Sequence, residues 1–339
     1  MKVPEPRKLP SGNYFIQLRL NGRSIPITAE SYAECKQLAQ VEKANYLAGL
    51  NVIKKLPKNM TLSECITKYI NASRATLSPS TVDRYVNYRD GRFKAYQDCP
   101  LGSINWQKMI DDELKDASEK TVKNAWGLVR PALKHVGYPI PEVRLAAVPV
   151  KEIPFLQPEE ILPFCEAIKG RSYEIAMLLG LHGLRLSETR ALKWDDINLT
   201  KKTIQIRGAY VKGEDGWVDK PTNKNKTSTR IVPIMIPQLK TALDAVPDKT
   251  GKVVTLHGST LLRDVKRACE RAGVTVISYH GLRHSMASLS FFLGIPIEQI
   301  MRWGGWANDQ TLRRIYIHLA ASAEDEAKKA YGAFFNKKK

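Results

Sequence analysis

Residues 11–28 read SGNYFIQLRLNGRSIPIT, and apolar and polar positions alternate along them with period two. Tyr14, Ile16, Leu18 and Leu20 share one face, while Phe15, Gln17 and Arg19 share the other. Successive side chains of a strand point to opposite sides, so this is the pattern of a half-buried strand. It breaks at Asn21–Gly22, a pair whose backbones accept the positive φ angles of a two-residue hairpin turn. The period then changes. ESYAECKQLAQVEKANYLAGL carries Leu38, Val41, Ala44 and Ala48 at helical spacing and stops near Gly49. A small antiparallel sheet backed by one helix is predicted, complete by about residue 56.

Residues 57–137 show helical patterns only. TLSECITKYINAS starts at a threonine cap, and SPSTVDRYVNYRDGRF has a serine cap with Pro79 in its first turn, where a missing N–H costs nothing. SINWQKMIDDELK and SEKTVKNAWGLVRPALKHVG complete the block. GYPIPEVRLAAVPVKEIP then carries four prolines in eighteen residues, which predicts a linker over 138–154. Residues 155–339 return to helical spacing with one β insert. There TIQIRGAYV, WVDKPTN and RIVPIMI read as three strands of an antiparallel sheet. SYHGLRHSMASLSFFLGI, PIEQIMRWGG and DQTLRRIYIHLA predict further helices, and SAEDEAKKAYGAFFNKKK a short last one, apolar at Ala330 and Phe334. The expected class is multidomain α+β: a small N-terminal antiparallel sheet plus helix, an all-α bundle, and a mainly α domain with a small antiparallel sheet.

Charge changes the picture. The 339 residues hold 53 Lys and Arg against 34 Asp and Glu, a net charge of +19. The excess is +5 over residues 1–56, +4 over 57–150 and +10 over 151–339, so it is no basic tail. Basicity spread over every segment suits a protein that follows a polyanion with several surfaces, because each neutralised phosphate releases counterions. A ribosome-associated or merely basic protein would share the composition. The five cysteines (Cys35, Cys65, Cys99, Cys165, Cys269) form no CxxC pair, which points to a reducing compartment and away from disulfides or zinc. No apolar stretch has the length of a membrane span, and MKVPEPRKLPSGN lacks the apolar run of a signal peptide. A soluble protein that stays where it is made, with no membrane partner, is expected.

The tetrapeptide His-Gly-Leu-Arg occurs twice, at 182–185 in LHGLRLSE and at 280–283 in YHGLRH. The flanks that follow, LSETRALKWDDI and HSMASLSFFLGI, do not match, so this is not a duplication. His280 and His284 have the i, i+4 spacing of a zinc pair. However, Gly281 stands where a metalloprotease base would be, and no third ligand is evident, so no metal is expected. Taken singly, Arg185 is a surface cation paired with Glu188, His280 a capping or core histidine and Arg283 another surface cation.

Their order along the chain is more specific. GLRLSE, a β-hairpin bearing Lys224 and Lys226, HGLRH, GGW and TLRRIYIH follow one another over residues 155–320. This series resembles the tyrosine recombinase, or phage integrase, family. The first 137 residues look like the arm-binding and core-binding domains of its lambda-like and conjugative-transposon members. The resemblance implies a site-specific recombinase that cuts and rejoins DNA through a 3′-phosphotyrosine and a Holliday junction. It implies an arm-type DNA-binding domain at 1–56, a core-binding domain at 57–137, a linker at 138–154 and a catalytic domain with its tail at 155–339. Tyr316 would be the nucleophile, with Arg185 and Arg283 on the phosphate and Lys224 a general acid. Lys226 remains an alternative for that lysine. His280 would accept or donate a proton, and Trp306, where a histidine is commoner, would donate its indole N–H. Glu188 would orient the first motif, and His182 reads as structural.

The chemistry is consistent with these positions. Attack on a phosphodiester builds negative charge on pentacoordinate phosphorus, and two guanidinium forks can hold its non-bridging oxygens. No metal or other cofactor is required, because the phosphotyrosine stores the bond energy. Gln17, Arg19 and Arg23, on or beside the hairpin, are the candidates for arm-site contacts. The implied partners are double-stranded DNA at core and arm sites, three further copies of the chain in a tetramer, and accessory DNA-bending or excision proteins. The implied setting is the nucleoid of a bacterial cytoplasm. A type IB topoisomerase shares the chemistry but acts alone, whereas the arm-like segment implies a second DNA site and an assembly. A catalytically silent DNA-binding regulator would have no use for Tyr316 at that spacing.

Overall fold

The computed structural model describes residues 3–20, 23–47, 59–149, 153–220, 229–310, 312, 313, 315, 328, 329 and 332. The chain divides into two compact units. The first comprises residues 1–71 and 91–145, the second residues 72–90 and 146–339. Among the described residues no helix is long and apolar enough to cross a membrane.

In the first unit, β1 (Arg7–Lys8), β2 (Tyr14–Leu20) and β3 (Arg23–Ala29) form an antiparallel sheet in the order β1-β2-β3. Leu20 pairs with Arg23, so the strands meet at the Asn21–Gly22 position where the alternation breaks. Ile16, Leu18 and Leu20 are buried, while Gln17 and Arg19 on the opposite face are exposed. The two-residue strand β1 has no sequence signal of its own.

Helix α1 (Tyr32–Leu47) corrects the predicted apolar stripe. Leu38 and Val41 are 44% and 49% exposed, and Ala44 is also exposed. Cys35 and Ala39 are buried instead. Small side chains let the helix axis approach the sheet closely, and the Cys35 thiol lies 3.4 Å from the Tyr14 carbonyl. Ala48 lies outside the described residues.

The helical part of this unit follows its caps. Thr61 and Glu64 form a reciprocal capping box before α2 (Leu62–Ser73). Asn105 caps α4 (Trp106–Asp116) and Ser118 caps α5 (Glu119–His135). Residues 139–149 have no regular structure, as the prolines require.

The second unit takes in α3 (Pro79–Gly91, except its last residue); Arg74, in the connection before it, pairs with Glu214 of a hairpin described below, and Asp83 of α3 makes a looser pair with Lys212 of that hairpin, 3.9 Å. Its centre is α7 (Glu174–Leu181), EIAMLLGL, whose last six residues are all buried. A helix apolar on every side has no solvent face to offer and becomes core. Around it lie α6 (Pro158–Ile168), α8 (Leu186–Ala191), α9 (Pro237–Asp244), α10 (Gly258–Ala272), α11 (Tyr279–Phe292) and α12 (Ile297–Gly304). Leu156, Phe164, Ile204, Val232, Leu261 and Leu282 belong to the same buried cluster as α7.

The β insert differs from the single sheet expected. TIQIRGAYV breaks at Arg207–Gly208 into β5 (Thr203–Ile206) and β6 (Ala209–Gly213). β5 pairs with β4 (Ile197–Asn198) and β8 (Arg230–Pro233), while among the described residues β6 pairs with β7 (Gly216–Lys220) in a sheet of their own. The break has a local cause. Arg207 turns its guanidinium back to Asp196, 2.6 Å. Arg190 then draws the separate hairpin onto α8, with its guanidinium 4.7 Å from the Tyr210 ring centre and 4.1 Å from that of Trp217. The predicted last helix, with Ala330 and Phe334, lies outside the described residues apart from isolated positions.

One buried hydrogen bond joins the start of this unit to α11. The Leu156 amide donates to Ser285 Oγ over 2.8 Å, and that hydroxyl donates to the Gly281 carbonyl over 2.9 Å. Replacing Ser285 by Ala strands the Leu156 N–H in the core and should cost about 1–3 kcal/mol. Urea unfolding of Ser285→Ala against wild type measures it; a midpoint unchanged within error would show that the bond is not structural.

Candidate active site

The two His-Gly-Leu-Arg copies are shaped differently and converge. After α7 the chain reverses at Gly183, whose φ of +90° is open to glycine at little cost. An added Cβ there would also sit 2.6 Å from the Met286 methyl. The reversal presents Arg185 just before α8, with its backbone still extended. In the second copy Gly281 is helical and is needed for closeness instead. A Cβ at Gly281 would lie 2.6 Å from the Pro154 carbonyl oxygen and 2.8 Å from Ile277 Cβ. Ser278 caps this helix, Leu282 enters the core, and Arg283 one position on is 1% exposed.

Both arginines reach the same turn. Helix α12 ends at Gly304, and Gly305 takes a left-handed φ of +68°. Arg283 Nη1 donates to the Gly183 carbonyl over 2.6 Å and also to the Gly304 carbonyl. Arg185 Nη2 donates to the next carbonyl, Gly305, over 3.0 Å. Trp306 lies with its ring 3.8 Å from the Arg283 guanidinium carbon, a cation–π stack. Gly304 must be glycine because a Cβ would fall 1.8 Å from the Trp306 ring.

Glu188 balances the charge. Its carboxylate accepts from Arg185 Nη1 over 2.6 Å and from the Arg185 amide over 3.0 Å. It also pairs with Arg230 of β8, Nη2 to Oε2 over 3.0 Å. Burial alone would raise the Glu188 pKa, but the charges of Arg230 and then Arg185 outweigh it, so the group is held below its ordinary value. Arg283 is shifted down, first by burial and then by Arg185. Its Nε and Nη2 are buried without a hydrogen-bond partner among the described residues. A buried cation with two free donors, beside a second cation, is an anion-binding arrangement.

His280 is exposed on the first turn of α11. Desolvation and then the charges of Arg283 and Arg185 hold its pKa below the ordinary value. Its ring meets His284 edge-on, centroids 4.9 Å apart.

The structure thus brings together Arg185, Glu188, His280, Arg283 and Trp306. Lys224, Lys226 and Tyr316 lie outside the described residues, though β7 and β8 flank 221–228 and the helical Ile315 precedes Tyr316. In the N-terminal sheet Gln17 donates to Ser24 Oγ over 2.6 Å, Arg19 is exposed, and Arg23 starts β3. His182 is fully buried, with Nε2 2.7 Å from the Pro233 carbonyl and 3.1 Å from the Met235 amide, so it fastens α7 to the end of β8. Sequence reasoning passed over Arg230. Its signal was a cation at an inward position of RIVP, visible only once the strand's facing was known.

The arginine-rich centre presents donors that suit an oxyanion such as a phosphate. Residues 152–323 match the phage integrase family, and the chain belongs to that family. It is a site-specific tyrosine recombinase acting on DNA. The "Tyrosine recombinase XerC-like" protein of Caldanaerobacter subterraneus subsp. tengcongensis is 26% identical, with 89% of this chain and 90% of that protein covered. The integrase of Salmonella phage P22 is 26% identical over 50% of this chain and 45% of its own. Among solved structures, the Tn1549 transposon integrase in complex with transposon right end DNA superposes with a TM-score of 0.60. It covers 79% of this chain and 100% of that one at 16% identity. A lambda integrase tetramer bound to a Holliday junction superposes with a TM-score of 0.55, covering 91% and 96% at 17% identity. These structural likenesses concern the fold.

His284 gives a pH-dependent test of the packing. It is buried, and desolvation, then His280 and Arg283, depress its pKa to about 4. A histidine pKa lowered on folding means that the unfolded chain binds the proton first. Stability is therefore fully present above the unfolded value near 6.5 and is lost as pH falls from there to about 4. By linkage the loss is about 3 kcal/mol. Denaturation midpoints of wild type and His284→Gln between pH 7.5 and 4.5 should converge toward acid; parallel curves would remove His284 as the cause.

Proposed function

We propose that Arg185 and Arg283 clamp the scissile phosphate while Tyr316 attacks it. The observation that carries this is Arg283's pair of unsatisfied buried donors, set beside Arg185 on adjacent carbonyls of one turn. The Tyr316 oxygen forms a bond to phosphorus as the bond to the 5′-oxygen breaks, leaving a 3′-phosphotyrosine and a free 5′-hydroxyl. Lys224, with Lys226 as the alternative, protonates the leaving 5′-oxygen. Neutral His280 takes up the tyrosine proton. Trp306 holds the Arg283 plane by stacking and supplies its N–H near the phosphate. Glu188 keeps Arg185 oriented. The reverse attack by a 5′-hydroxyl rejoins the strand with no outside energy source.

Residues 1–56 serve as an arm-site DNA-binding domain, 57–137 as a core-site domain, 138–154 as a linker and 155–339 as the catalytic domain and tail. The exposed face with Gln17 and Arg19, and the Arg7 guanidinium 4.9 Å from the Phe15 ring, support the first assignment. Two duplexes present four strands to cut, and each chain carries one Tyr316, so the working unit is a tetramer passing through a Holliday junction. The lambda neighbour was captured in that form.

Incubation with a nicked attachment-site duplex should trap a covalent protein–DNA adduct that disappears in Tyr316→Phe. An adduct that persists would assign the nucleophile elsewhere. Arg185→Lys should lose cleavage by about a hundredfold while keeping DNA affinity, since an ammonium cannot form the fork. Cleavage within a few-fold of wild type would remove Arg185 from the clamp.

A further inference from the structure

Strand β8 breaks its own pattern. Its register sets Val232 opposite Ile204 and Arg230 opposite Ile206. Ile204, Ile206 and Val232 are all buried, so Arg230 occupies a core-facing slot of an apolar sheet face, while Ile231 beside it is 63% exposed. Exchanging the two residues would restore ordinary alternation. A guanidinium in that slot loses its hydration and has to be compensated by partners.

The Arg230 partners Glu188 and the Trp303 carbonyl adjoin the phosphate-facing centre. The Arg230 side chain is 5% exposed and Glu188 only 2%. Nη2 lies 3.0 Å from Glu188 Oε2, Nη1 3.3 Å from Oε1, and Nε donates to the Trp303 carbonyl over 2.7 Å. The guanidinium lies close against Gly305, where an added Cβ would stand 2.8 Å from Nη1. Arg230 therefore touches both structures that orient the two arginines: the carboxylate under Arg185, and the α12 turn whose carbonyls receive Arg185 and Arg283.

We propose that Arg230 is a positioning residue for strand cleavage, acting through Glu188 and the Gly304–Gly305 turn to keep Arg185 available to the phosphate. The inference rests on the reading that Arg185 and Arg283 clamp that phosphate. Arg185 now gives its carboxylate partner one side-chain contact, through Nη1, and turns Nη2 to Gly305. Without Arg230, the buried Glu188 would have Arg185 as its remaining ion-pair partner in this network. The stable arrangement would then be a bidentate fork that consumes the donors the phosphate needs. Sharing the carboxylate between two guanidiniums prevents that collapse.

The test uses the full-length chain and a nicked duplex carrying the sequence at which the wild type forms its covalent adduct. Arg230→Lys keeps the charge but cannot span Glu188 and the Trp303 carbonyl together. Single-turnover cleavage should fall on the order of tenfold or more, with DNA affinity within about threefold of wild type. The decisive measurement repeats this on a duplex whose scissile phosphate is a methylphosphonate. That substrate has lost the charge of one non-bridging oxygen and depends less on the guanidinium clamp. If Arg230 acts through Arg185, the gap between Arg230→Lys and wild type narrows on it; a purely structural defect is equal on both substrates and overturns the proposal. Arg185→Lys runs in parallel. If its defect does not narrow either, the clamp reading itself is wrong; if it narrows while that of Arg230→Lys does not, only the role of Arg230 falls. Should Arg230→Lys fail to fold, Arg230→Gln, which keeps a donor for the Trp303 carbonyl while withdrawing the cation from Glu188, carries the same comparison with the same two outcomes.

Discussion

Arg185 precedes α8 and Arg283 lies in α11, distant in sequence, yet they donate to the consecutive carbonyls of Gly305 and Gly304. Two like charges brought this close repel, and burial sharpens the repulsion because little water remains to screen it. Much of the local irregularity in the second unit can be traced to that constraint. The turn after α12 needs two glycines, one left-handed and one without room for a Cβ beneath Trp306. Glu188 is sunk almost completely to compensate the charge, and a third guanidinium is placed in an otherwise apolar sheet face to share it. Even so, three guanidiniums meet one carboxylate here, and the turn keeps a positive excess.

Such a centre holds its geometry only on a rigid support. The apolar helix α7 provides it, since it has core on every side. His182 at its end reaches β8, and the Tyr279 hydroxyl donates to the Ala176 carbonyl over 2.6 Å while lying 2.9 Å from the Thr189 hydroxyl. Helices α7, α8 and α11 and strand β8 are thereby tied together through buried polar contacts. A displacement of any one of them moves an arginine relative to the turn, and the energetics of positioned catalysis are sensitive to such shifts. The contacts that offset the burial of charge here are also the ones that fix where the arginines point.

Much of this was legible in the chain. Period-two alternation around Asn21–Gly22 encoded the N-terminal hairpin, and threonine, serine and proline signals marked the starts of α2 and α3, because these are local preferences of backbone and cap. The family resemblance carried by GLRLSE, HGLRH and GGW implied Arg185, Glu188, His280, Arg283 and Trp306, which the structure gathers around one turn. What local pattern could not decide was facing. Cys35 and Ala39 turn inward on α1 rather than Leu38 and Val41, because close approach to the sheet outweighs the hydrophobicity of a larger side chain. TIQIRGAYV reads as one strand, yet Arg207 and Arg190 send its halves into different sheets. Arg230 looks like an ordinary surface cation in sequence, and only its register against Ile206 reveals that it points inward to Glu188. The sequence by itself determined which elements form and which residue types could meet a phosphate, since those depend on neighbours a few positions away. The tertiary structure alone decided which faces are buried and which charges share a partner, because burial and ion pairing depend on residues remote along the chain.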